Sequence, residues 1–172
     1  PAVYIYKIER GHRSHVGLIG CIDIQDYLDG HIVRHEKTLA TKEQTMMKLL
    51  LQRQAMVKPV LLGYQNHSDI SSLIEKGIES IDPFFTVNFE NDGQIHHFYQ
   101  LEENELELSL LAAFHQHVQR VYIADGHHRC STSARLFKTM ANSEDNKYRK
   151  LLCAFFPFEE LDIYDYNRVI EI

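Results

Sequence analysis

The chain has 172 residues, 44% hydrophobic and 24% charged, which is long and apolar enough to bury a core as one domain. A formal net charge of -6 argues against a surface that holds nucleic acid by bulk positive charge. Cys21, Cys130 and Cys153 lie far apart, with no C-x-x-C pair; they suit a reducing, cytoplasmic setting and offer no zinc site of the usual spacing. No apolar run reaches membrane-spanning length and no signal peptide is visible, so no membrane partner is expected. The chain opens at Pro1 without an initiator methionine, and residues 1–172 read as a single domain, the central fragment of a longer protein.

In chain order, Val3 to Ile8 and Val16 to Ile22 read as two antiparallel strands joined by a turn around Gly11. The second has little polar alternation, which predicts a central strand covered on both faces. Asp26 to Gly30 reads as a short turn leading to Ile32–Thr38. A helix is expected from Thr41, as cap, to about Val57, with Met46, Leu49, Leu50 and Ala55 inward. Pro59 ends it and Val60 to Tyr64 forms a strand. Ser68 or Asp69 caps a short helix through Glu75. Thr86–Glu90, the turn Asn91-Asp92-Gly93 and Ile95–Tyr99 make the clearest hairpin. Glu102 to His117 is amphipathic, with Leu106, Leu110 and Phe114 on one face. A strand over 121–124, a helix to about Met140, a polar loop over 142–147 and a buried strand from Leu151 to Phe156 complete a mixed α/β (α+β) domain.

The chemistry concentrates at Val121-Tyr122-Ile123-Ala124-Asp125-Gly126-His127-His128-Arg129. A strand, a glycine turn and a helix start make an anion site, because the first-turn N–H groups point outward with the positive end of the helix dipole. Gly126 reaches backbone angles closed to other residues, Arg129 brings a fork of donors, and His127 and His128 bring groups that donate and carry protons. The plain alternative is a common Asp-Gly turn followed by a solvated helix start, with Arg129 and Asp125 joined in an ordinary ion pair. His96-His97 lies in a predicted strand with side chains on opposite faces, which reads as surface histidines rather than a shared metal site. His115 and His117, two apart on a helix, do not face each other.

Three segments match one family: Arg34-His35-Glu36-Lys37-Thr38, Tyr122 to Arg129, and Phe156-Pro157 followed by Asp165-Tyr166-Asn167-Arg168-Val169. In this order they resemble a bacterial and archaeal family catalogued as a domain of unknown function, number one thousand and fifteen, over nearly the whole chain. Members are usually longer at both ends. The chain departs from them at Gln44-Thr45-Met46, where Asp-Arg tends to follow Lys42-Glu43, and at Cys130, where an aromatic residue is common. More distantly, Asp125-Gly126-His127-His128-Arg129 resembles the phosphate-binding turn of the ParB/sulfiredoxin-like superfamily, which implies a mixed sheet with flanking helices around that core. Free-serine kinases of the superfamily carry a nearly identical motif, and ParB proteins bind a nucleotide at the corresponding place. Sulfiredoxins put a reactive cysteine where this chain has His127, and Cys130 comes three residues too late to replace it.

The resemblance implies a nucleotide-dependent phosphotransferase acting on a small hydroxyl compound such as free serine, using ATP or ADP with magnesium. Gly126, His127, His128 and Arg129 would cradle phosphate, and Glu36 would serve as base beside His35. Asp125 would steer magnesium or hold a histidine tautomer, and Asn167 and Arg168 would add donors. On the residues alone Glu36 is equally an exposed charge, and Asp165 to Arg168 equally a structured turn. Two other classes stand beside this one: a non-catalytic nucleotide or phosphometabolite sensor, and a metal-dependent hydrolase using His35, Glu36, Asp125, His127 and His128.

Overall fold

A computed structural model describes residues 2–36, 40–56, 58–102, 105–140 and 147–163, with backbone only at 40–42 and 147. Its centre is one eight-stranded sheet. The strands are β1 (Val3–Arg10), β2 (Arg13–Asp23), β3 (Ile32–Val33), β4 (Val60–Tyr64), β5 (Phe85–Phe89), β6 (Gln94–Leu101), β7 (Val121–Asp125) and β8 (Lys150–Pro157). They lie in the order β3-β7-β4-β8-β2-β1-β6-β5. The pairs β3–β7 and β4–β8 are parallel; every other pair is antiparallel. The sheet is therefore mixed: the β2, β1, β6 and β5 side is two antiparallel hairpins, β1–β2 and β5–β6, joined edge to edge through β1 and β6, and longer connections that include helices build the rest.

Five α-helices among the described residues accompany it: α1 (Ile24–Asp29), α2 (Ala40–Arg53), α3 (Ser68–Ser80), α4 (Glu105–His117) and α5 (His127–Thr139). Ile70 and Ile74 of α3, Leu110 of α4, and Cys130 and Ala134 of α5 join Ile5, Leu62, Tyr64, Ile123 and Phe155 of the sheet in a single core cluster. Alternation along β7 shows how one face is chosen, with Val121 and Ile123 buried while Tyr122 and Ala124 are exposed. Close helix–sheet approach needs Gly77, where a Cβ would stand 2.3 Å from Ile5 Cδ1. No described helix is long and apolar enough to cross a membrane.

Several expectations are corrected. The residues read as a turn at Asp26 to Gly30 are the body of α1: Asp23 caps it by accepting from the Gln25 N–H, and Gly30, at φ 85°, closes it. The Asp-Gly pair is thus a helix end rather than a free turn. β2 is central by pairing, yet only Gly17 and Leu18 are buried along it and Cys21 is exposed, so it is not covered on both faces. α2 begins at Ala40, before Thr41, and stops at Arg53, where Gln54 turns to φ 51°. Leu49 is 42% exposed and Ala55 lies outside the helix, so neither packs into the core. α3 is capped by His67, whose Nδ1 accepts from the Asp69 N–H, and it runs to Ser80 rather than to Glu75. His96 and His97 are half-buried and partnered: His96 Nδ1 lies 2.5 Å from Tyr6 Oη, and His97 Nε2 lies 3.4 Å from Glu9. The polar loop expected over 142–147 falls outside the described residues up to 146.

Candidate functional site

The site is built where β7 ends. β7 feeds straight into α5 through Gly126, which takes φ 109° and ψ 25°, a conformation that strains any side chain. Gly126 also makes room: a Cβ there would stand 2.8 Å from Arg129 Nε and Nη2, so the guanidinium folds back over the turn. Its carbonyl accepts from the Arg129 and Cys130 N–H groups, which starts the helix, and no side chain caps the first turn. The remaining first-turn N–H groups are left for water or an anion.

Arg129 Nη2 donates to Asp125 Oδ2 at 2.7 Å, and Lys58 Nζ lies 3.2 Å from the same oxygen. Burial pushes the Asp125 carboxyl up, but the hydrogen bonds from Arg129 and Lys58 outweigh it and hold the group below the usual carboxylate range. Lys58 reaches Asp125 because β4 and β7 are antiparallel: Leu61 pairs with Asp125, so the approach to β4 lies beside the end of β7. The Arg129 side chain is only 14% exposed, and its Nε, like Nδ1 of His128, is a buried atom with no hydrogen-bond partner among the described residues. Two orphaned nitrogens at one turn have a cost unless something arrives to meet them.

His127 is buried, at 6% exposure, and the Arg34–Glu36 segment closes over it. β3 runs parallel to β7, pairing Ile32 with Val121 and Val33 with Tyr122, so the chain after β3 travels toward the same sheet edge. There the His35 N–H donates to His127 Nε2 at 3.5 Å and the two rings meet edge to face at 4.4 Å. An N–H can only donate, so Nε2 is the acceptor and the His127 proton sits on Nδ1, 3.8 Å from Glu36 Oε2. Burial and the neighbouring His35 hold the His127 imidazole below its ordinary value, against the opposing pull of Glu36 and Asp125. Glu36 itself is 65% exposed. It is an exposed charge, and it also stands at the turn.

Glu36, Lys58, Asp125, Gly126, His127 and Arg129 border a cavity of about 290 Å³. Beside it lies an apolar slot of about 230 Å³ between α2 and the chain following it, walled by Met46, Leu49, Leu50, Ala55 and Met56. Met46, Lys58 and Arg129 line both. The exposure of Leu49 and Ala55 has its reason here, since they face an open slot. Glu43 ties α2 to α5 by accepting from the Ser131 hydroxyl and pairing with Arg135 at 3.8 Å.

His35, Glu36, Asp125, Gly126, His127, His128 and Arg129 therefore come together, whereas Asn167 and Arg168 lie outside the described residues. Sequence reasoning missed Lys58. A lysine before a proline and a strand gives no signal until the strand order is known. It also missed Glu43 as the strut beneath the slot. Cys130, buried behind Arg129, has its thiol pushed up to about 12 by burial, in spite of the nearby cation.

The fold is a mixed α/β domain with a cation-lined strand-to-helix turn at one end of its sheet. The chain belongs to the family of proteins of unknown function DUF1015, whose model matches residues 1–172. Comparison with curated proteins and with solved structures gave no match.

Proposed function

We propose that the β7–α5 turn binds the phosphates of a nucleotide and that the protein passes a phosphoryl group to a small hydroxyl compound such as free serine. The observation that carries this reading is the Arg129 guanidinium, its buried Nε without a partner among the described residues, beside the start of α5 and on the wall of a cavity that Lys58 and His127 also line. A phosphate there meets the Arg129 fork, Lys58 and first-turn amides together. The adjoining slot offers an apolar wall, built by Met46, Leu49, Leu50 and Met56, against which a base would pack.

In the reaction the acceptor hydroxyl oxygen bonds to the terminal phosphorus and its proton passes to Glu36. The P–O bond to the rest of the nucleotide breaks, and the leaving phosphate keeps the electron pair. Asp125 now occupies donors of both Arg129 and Lys58; turned to a magnesium ion, it would release both to the phosphates. His127, held neutral, has its Nδ1 proton 3.8 Å from Glu36, beyond hydrogen-bond reach, and would orient that carboxylate only once Glu36 moves closer. The same Asp125 contacts favour the sensor as the second reading, because a site whose cations are already neutralised can bind and release phosphate without turnover.

The test is a thermal-shift series with ATP, ADP, CTP and inorganic pyrophosphate in magnesium, on wild type and Arg129→Ala. A ligand bound only by the folded state raises stability by about 2.7 kcal/mol at a hundredfold excess over its Kd. We expect a nucleotide shift that Arg129→Ala removes, followed by phosphoserine formation that Glu36→Gln removes. A shift that survives in Arg129→Ala refutes the cradle, and binding without nucleotide consumption leaves the sensor.

A further inference from the structure

We propose that His67, Asp69 and His117 form a site for one transition-metal ion of the zinc class, at the sheet edge opposite the Arg129 turn. The topology sets the location. β4 and β7 are antiparallel neighbours, so the end of β4 and the start of β7 share one edge. His67 follows β4 as the cap of α3, and His117 closes α4 just before β7. Fifty residues of chain separate these histidines, and the fold stacks their rings with centroids 3.6 Å apart.

One ligand atom from each of the three residues lies within 4.8 Å of the others. Asp69 Oδ2 stands 3.2 Å from His117 Nε2 and 3.6 Å from His67 Nδ1. Four ligands around zinc at its usual bond lengths of about 2.0–2.1 Å are separated by about 3.3 Å along each edge of the tetrahedron. Both measured edges match that separation within a few tenths of an ångström. Two imidazoles and one carboxylate suit zinc and its first-row neighbours rather than magnesium or calcium, which prefer oxygen throughout. Three protein ligands leave the fourth position to water.

Binding requires two adjustments. The rings, now 7° from parallel, must turn so that both lone pairs aim at one point, a rotation about the soft χ2 torsion of histidine. His67 Nδ1 must also give up the 3.3 Å hydrogen bond from the Asp69 N–H, which is long. In exchange the ion reinforces the link between the start of α3 and the end of α4, where Asp69 and His117 already pair and the rest of the contact includes apolar packing. The inference does not depend on what the Arg129 turn binds.

The experiment is calorimetric titration of chelator-stripped protein with Zn²⁺, paralleled by Co²⁺ absorption, on wild type, His117→Gln, His67→Asn and Cys21→Ser. Asparagine at 67 keeps an acceptor at the cap, so α3 retains its start. We expect one ion per chain, visible bands of four-coordinate cobalt, and affinity at least tenfold weaker in both histidine variants but unchanged in Cys21→Ser. No binding to wild type overturns the proposal, as does equal binding by the histidine variants or loss confined to Cys21→Ser.

Discussion

The β7–α5 and β4–α3 junctions lie at opposite ends of the same two neighbouring strands, and their chemistry is opposite. At the first, two cations crowd one carboxylate, a glycine opens the backbone, and buried Arg129 Nε and His128 Nδ1 have no hydrogen-bond partner among the described residues. At the second, a histidine caps the helix, and a carboxylate sits beside two imidazoles. The first gathers donors around one carboxylate; the second gathers acceptors, one of which, His67 Nδ1, already takes the Asp69 N–H. Each begins where a strand leads into a helix start, and the difference comes from the side chains brought there and from the cap backbone, left-handed at Gly126 and extended at His67. A helix N-terminus is a common scaffold that neighbouring segments turn toward one ligand or another.

The sharpest way to separate the junctions is to remove each one's own device. Gly126→Ala forces a side chain into φ 109°, and we expect a stability loss of about 2 kcal/mol, the upper part of the cost of left-handed backbone. The added Cβ also pushes Arg129 away, so the pyrophosphate thermal shift should vanish. His67→Ala removes a cap and should cost about 1 kcal/mol while leaving the pyrophosphate response whole. Urea midpoints and pyrophosphate shifts measured on both variants decide the matter. Equal behaviour in the two assays would mean that the junctions are not independent.

This contrast also explains what the sequence disclosed. The β7–α5 junction is contiguous, so strand, glycine, histidines and arginine stand in one legible run, and the hairpin about Asn91–Gly93 is legible for the same reason. The approach of Glu36 to His127 was expected on the strength of a resemblance, but its physical cause is the parallel β3–β7 pair. β3 has only two residues, too few to show as a period. Lys58 and the His67–His117 stack depend on β4 and β7 being antiparallel neighbours, a fact no local pattern contains. Caps misled the reading in two ways: His67 is not a preferred cap, and at Asp26 to Gly30 the ordinary caps Asp23 and Gly30 enclose a helix of only six residues, short enough to resemble a turn.

A smaller effect tests how far the positive character of the first junction reaches inward. A thiol near a helix start and an arginine is ordinarily acidified and reactive. Cys130 has both neighbours, yet burial wins and pushes it up to about 12; burial also pushes Cys153 up, while Cys21 is exposed. Titration with an aromatic disulfide at pH 8 should therefore modify one thiol in the native protein and two more in denaturant. Rapid native modification of Cys130, located by peptide mass, would show that the start of α5 opens to solvent.

The smallest effect is the response to acid. His127 is held below its ordinary value of 6.5, chiefly by burial and then by His35. As pH falls through 6.5 the unfolded chain takes up this proton first, so the folded state loses stability, and the loss continues until the folded imidazole titrates as well. His96 is shifted the same way by burial and adds to the slope, so wild type alone cannot assign it. The difference between wild type and His127→Gln can. Between pH 7.5 and 5, the urea midpoint of wild type should fall further than that of the variant, which keeps an amide but has no proton to gain. Parallel curves would mean that protonated His127 is accommodated at no cost, with Glu36 moving in from 3.8 Å to pair with it. Glu36 would then be a partner for imidazolium instead of a base held ready for an acceptor, and the weight would shift from phosphotransferase to sensor.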